Sequence, residues 1–135
     1  MGRSDIIIDK FKIYNWKVVV LYNITCDDID IIVEVLKDLN CPDEYIDKAL
    51  DNLETCNLNS GLTYSNLSRK SSVIVVGKTS SFSQLINTIC HEHYHLICHI
   101  SKILNINDEE ILANLLGNLT MRSYNIIKEL EKSRF

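Results

Sequence analysis

The apolar residues of this chain change period several times, and each change marks an element. Residues Lys17–Tyr22 hold Val18, Val19, Val20 and Leu21 in one unbroken run, the pattern of a β-strand covered on both faces. Asp27 and Asp28 then offer a helix cap, and Ile29, Ile32, Val33, Leu36 and Leu39 recur at helical spacing. Cys41-Pro42 breaks that helix. Pro42 suits the first turn of a second one, whose apolar side is Tyr45, Ile46, Ala49, Leu50 and Leu53. Asn57 to Gly61 is turn chemistry. Two β-prone segments follow, Leu62 to Asn66 and Ser72 to Val76, and the short stretch between them predicts a hairpin.

Gly77 to Ser81 reads as a loop in which Thr79, Ser80 or Ser81 can cap the next helix, which spans about Ser81 to Leu104. At about 100° per residue, Phe82, Leu85, Ile86, Ile89, Leu96, Ile97, Ile100 and Leu104 gather on one side. His91 and His95 project from the other, with Gln84 and Lys102. Asn105 to Asp108 forms a turn, and a last helix runs from near Asp108 towards Glu131. Its broad apolar side is Leu112, Leu115, Leu116, Leu119, Ile126, Ile127 and Leu130, while Glu110, Ala113, Asn114, Gly117 and Met121 line another face. A glycine inside a helix costs about 1 kcal/mol against alanine. Ala113 and Gly117 therefore predict close approach of a neighbouring helix. Together these elements predict an α+β fold, one domain over residues 1–135. A small antiparallel or mixed sheet is packed by helices, with the histidine-bearing helix central and a glutamate-bearing helix after it.

Composition narrows the partners. The 135 residues can bury one core, and 46% hydrophobic with 24% charged residues matches ordinary globular chains. A net charge of −4 without a basic stripe gives no reason to expect nucleic acid. No apolar run reaches bilayer length, and Met1 to Lys10 lacks the core of a signal peptide. The five cysteines are odd in number and scattered, with no C-x-x-C pair, which argues against a disulfide framework or a thiolate zinc site. Cys90 and Cys98 read as small buried hydrophobes. A reducing, cytoplasmic setting is the resulting expectation, and the oligomeric state is left open.

The candidate chemistry lies in His91-Glu92-His93-Tyr94-His95, an H-E-x-x-H segment. Residues four apart share a helix face, so His91 and His95 can reach one zinc ion, and Glu92 beside them can take the proton of a metal-activated water. Catalytic zinc sites typically use three protein ligands. Glu110, on the next helix, is the candidate for the third, with Glu109, Asp108 and His99 as alternatives. His93 points to the apolar side and reads as a buried histidine, whereas His99 reads as a rim residue. Tyr64, Tyr94 and Tyr124 are candidates to support a transition state. The pattern predicts a zinc-dependent metallopeptidase acting on a peptide or protein substrate, with Glu92 as general base. The alternative is a catalytically inactive metal-binding interaction or regulatory module.

On His91, Glu92 and His95, followed by Glu110-Ile111-Leu112-Ala113-Asn114, the chain resembles the gluzincin branch of the H-E-x-x-H metallopeptidases in a minimal form. Small phage-associated and bacterial metallopeptidases look similar there. The resemblance spans roughly Leu62 to Leu119. It implies a zincin-like domain, Glu110 as zinc ligand, and Val73 to Val76 as the edge strand over the substrate cleft. It also aligns Asn114 with an acid that supports the ligands of larger members, so that support would lack charge here.

Overall fold

The computed structural model describes residues 6–53 and 60–134. Most of the turn expected at Asn57 to Gly61 lies outside them. Strands β1 (Ile7–Ile13), β2 (Trp16–Ile24), β3 (Gly61–Asn66) and β4 (Ser71–Gly77) form one mixed sheet in the order β1-β2-β4-β3. The helices are α1 (Ile29–Asp38), α2 (Asp43–Leu53), α3 (Phe82–Leu104) and α4 (Glu109–Arg134), with a 3₁₀ turn at Cys26–Asp28. The fold is therefore α+β with a mixed sheet.

β1 is an element the periodicity analysis did not predict. Ile7, Asp9, Phe11 and Ile13 turn inward while Ile8, Lys10 and Lys12 are exposed, so only one face is apolar and an aspartate interrupts even that. The hairpin to β2 closes through Tyr14 and Asn15, with φ of 52° and 62°. Ile13 pairs with Trp16 across it. Two consecutive left-handed residues make the two-residue turn that matches strand twist.

β2 and β4 run parallel, Val20 opposite Ile74. Helices cover both faces, which is why both strands read as apolar runs. On one face Trp16, Val18, Val20, Tyr22, Ile74 and Val76 pack with Leu85, Ile89, Leu96 and Ile100 of α3 and Leu115 and Leu119 of α4. On the other, Leu21, Ile24, Val73 and Val75 pack with Ile32 and Leu36 of α1 and Ile46 of α2.

The predicted hairpin forms, with β3 antiparallel to β4. The assignment of Val73 to Val76 as the edge strand is corrected: these residues are interior, paired with β2 on one side and β3 on the other. The edge strand next to α3 is β3.

α4 is corrected too. Leu112, Leu115, Leu119 and Leu130 do face the core, but Leu116, expected with them, is exposed, Ala113 and Gly117 face solvent, and a Cβ added at Gly117 would meet nothing within 4 Å. The small residues therefore have no packing explanation. Arg122 instead ties the helix to β1, chelating both oxygens of Asp9 at 2.8 and 3.0 Å and lying 4.6 Å above the Phe11 ring.

Among the cysteines, Cys41 is buried, but Cys90 is exposed and Cys98 half-buried, against expectation. Cys26 is disulfide-bonded, whereas the odd, scattered cysteines argue against a disulfide framework. Among the described residues no helix is long and apolar enough to cross a membrane.

Candidate metal centre and its cleft

α3 is a 23-residue helix without proline or glycine. Ser81 caps its start, accepting the Gln84 N–H at 3.2 Å, and Asn105 ends it in the left-handed conformation. Its apolar side is anchored by Leu96 and Ile100, both fully buried. That anchoring fixes the direction of every other side chain on the helix.

His91 and His95 are exposed, and their Nε2 atoms lie 3.2 Å apart with the rings edge-on. The contact is a hydrogen bond between the two imidazoles. Glu92, one residue round the helix, turns instead into the crease between α3 and β3 and is only 4% exposed. Its Oε1 accepts from Thr63 Oγ1 at 2.7 Å. Its Oε2 lies where a Cβ on Gly61 would come within 2.9 Å. His93 turns into the core, as predicted: it is 3% exposed, its Nδ1 has no partner, and burial pushes its pKa down to about 4.

His99, two turns after Glu92, is half-buried against β3 and its Nδ1 lies 2.6 Å from Ser65 Oγ. Burial, then the neighbouring His95 and Lys102, lowers its pKa. The side chains of Thr63 and Ser65, and the Cα hydrogens of Gly61, thus face α3, while Leu62 and Tyr64 pack on the opposite face.

The register gives the free edge. Gly77 N–H donates to Ser60 O, so Leu62, Tyr64 and Asn66 carry the bonds to β4, and Gly61, Thr63 and Ser65 direct their backbone groups outward. Tyr45 of α2 reaches that edge, its hydroxyl donating to Thr63 O at 3.3 Å. Its phenol pKa is raised by burial, then by Cys41, Glu92 and Tyr64.

Glu110 does not join this site. Among the described residues no three of His, Cys, Asp and Glu come together to hold a metal. The reason is the short connection, residues 105–108. It sets the first turn of α4 beside the last turn of α3, whereas His91 lies about 20 Å of helix before Leu104 at 1.5 Å per residue. Glu110 is exposed, and its N–H is capped by Asp108 Oδ1 at 2.8 Å. Asp108 is thus a helix cap, and Glu109 and Glu110 are first-turn acids that favour the helix dipole.

The tyrosines singled out from sequence are elsewhere. Tyr64 stacks on Tyr45 on the far face of β3, Tyr94 is 64% exposed, and Tyr124 sits on α4 beneath Lys128. Sequence reasoning missed Gly61, Thr63, Ser65 and Tyr45. Only Tyr45 was weighed, as a core residue of α2. The alternation in Leu62-Thr63-Tyr64-Ser65 was the available signal that Thr63 and Ser65 share a face.

No protein-family model, curated protein or solved structure is detectably similar to the chain.

Proposed function

We propose that the protein is a zinc-dependent peptide hydrolase working in the crease between α3 and the free edge of β3. The supporting observation is the 3.2 Å separation of His91 Nε2 and His95 Nε2, with Glu92 the next residue on the helix and hydrogen-bonded to Thr63. Two nitrogens on one tetrahedral zinc, each at about 2.05 Å, stand about 3.3 Å apart. The donor pair fits that spacing, so His91 and His95 would hold the ion. When bound, zinc supplies Lewis acidity, lowering the pKa of water and polarising a carbonyl.

The chain's own residues do the rest. Glu92 takes the proton from the attacking water and returns it to the leaving amine. Thr63 holds one carboxylate oxygen, which leaves the other for that transfer. Gly61 and Ser65 offer outward backbone groups on which an extended peptide can pair by strand addition. The Thr63 carbonyl is engaged by Tyr45, which a pairing peptide must displace.

A second reading, an inactive metal-binding interaction module, is favoured by one observation: no third ligand stands with the pair among the described residues. A partner chain would then complete the coordination.

Zinc content by elemental analysis, combined with cleavage of a peptide library, tests both. The parent is expected to hold one zinc per chain, and His91→Ala with His95→Ala to hold none. Glu92→Gln is expected to keep the zinc and lose on the order of 10²–10⁴ in rate. Full zinc occupancy in the double variant sinks the site. A zinc-loaded parent that cleaves nothing moves the assignment to the interaction module.

A further inference from the structure

His99 has no part in the chemistry above, yet it is tied to the strand beside it. A chain of hydrogen bonds runs to it from the core. Trp16 Nε1–H donates to Ser72 Oγ at 2.8 Å, Ser72 Oγ and Ser65 Oγ lie 2.6 Å apart, and Ser65 Oγ lies 2.6 Å from His99 Nδ1. Trp16 is 0% and Ser72 1% exposed.

The direction of the first two bonds follows from the buried end. An indole N–H can only donate, so Ser72 accepts from it. The Ser72 proton then has one acceptor among the described residues, Ser65 Oγ. The opposite direction would leave the Ser72 hydroxyl as a buried donor without an acceptor, which folded proteins avoid. Ser65 Oγ, half-buried, can then donate to His99 Nδ1 or accept from it. With Nδ1 accepting, the ring proton sits on Nε2. A histidine in that state has neither nitrogen available to a metal.

We propose that His99 is a substrate-binding donor rather than a zinc ligand. With Nδ1 accepting from Ser65, its Nε2–H meets a backbone carbonyl of an extended peptide laid along the edge of β3. This role rests on the peptidase reading. Glu92 meets Thr63 and His99 meets Ser65, two residues apart on β3, or about 7 Å of extended peptide. The bonded carbonyl therefore belongs to a residue about two positions from the cleaved bond, and the contact serves affinity more than the chemical step. Burial and the neighbouring His95 and Lys102 favour the neutral ring this role needs. Ser65 and the upstream members are positioning residues.

Histidine ¹⁵N NMR on the whole chain, with and without one equivalent of zinc, tests the assignment. His99 is expected to carry its proton on Nε2 in both samples, while zinc shifts the Nε2 signals of His91 and His95. Ser65→Ala and Trp16→Phe are expected to relax His99 to a mixture of tautomers. A proton on Nδ1 of His99 in the parent, or a zinc-induced shift of its nitrogens like that of a ligand, overturns this proposal and leaves the peptidase reading standing. If zinc moves neither His91 nor His95, the peptidase reading fails and the peptide role of His99 falls with it. With a peptide drawn from the library, His99→Leu is expected to raise KM about 5- to 10-fold at little cost in kcat, and His99→Gln, which keeps an N–H donor, to restore most of it. A loss confined to kcat overturns the role.

Discussion

Three consecutive residues of α3 meet three environments: His91 faces solvent, Glu92 the crease against β3, and His93 the core. Steps of about 100° on a helix account for this, and for that reason the directions of His91, His93 and His95 were legible in the sequence. What touches Glu92 was not. Thr63 and Gly61 lie about thirty residues away in the chain and arrive through strand pairing, which no local pattern specifies. Gly61 is the sharpest of these contacts. A Cβ there would lie 2.9 Å from Glu92 Oε2, 3.0 Å from Thr88 Cγ2 and 3.0 Å from Val75 O. The carboxylate could swing aside, but the Val75 carbonyl belongs to an interior strand and cannot. Gly61→Ala is expected to destabilise the fold by about 1–3 kcal/mol through overpacking, read as a lowered urea midpoint. It should leave zinc binding by the exposed pair intact. An unchanged midpoint would mean that the edge of β3 gives way more easily than its pairing implies.

At the scale of elements, α3 was readable because cap, period and length agreed, and its N-terminus offers a clean test. Ser81 Oγ satisfies the Gln84 N–H, one of the orphan donors of the first turn. Ser81→Ala is expected to cost about 0.5–2 kcal/mol and Ser81→Asp to preserve or add stability, measured by urea unfolding. Equal losses for the two would show that the serine acts by something other than capping. Position within the sheet was harder to read than strand existence. Val73 to Val76 is apolar on both faces, itself the mark of an interior strand, whereas the alternating polarity of Leu62 to Asn66 suits an edge. β1 escaped because Asp9 breaks the apolar alternation, and its ion pair with Arg122 joins residues that no periodicity links. Glu110 was misplaced for a different reason: the period gives a helix face, not the distance from the turn at which that face sits.

For the molecule as a whole, α4 closes the structure over β1. Arg122 holds Asp9 and covers Phe11, and Tyr22 lies beneath at 1% exposure. Burial raises the Tyr22 phenol far above its ordinary pKa, the Asp9 charge raises it further, and Arg122 partly opposes. The sign of the linkage follows. In the unfolded chain tyrosine loses its proton near pH 10, whereas the folded state holds it beyond that. The unfolded state is therefore favoured by deprotonation, so stability falls as pH rises above about 10 and is unaffected by this group at neutrality. Tyr22→Phe keeps the ring and removes the proton. It should flatten part of the alkaline decline in urea midpoint between about pH 9 and pH 11, leaving the shares of Tyr45 and Tyr64, whose phenols are also raised by burial. The comparison depends on the α4–β1 closure: if α4 were free to lift, water would reach Tyr22, its pKa would relax, and parent and variant would lose stability in parallel. A parallel loss would thus place Arg122 and the last helix outside the cooperative core that carries α3 and its histidines.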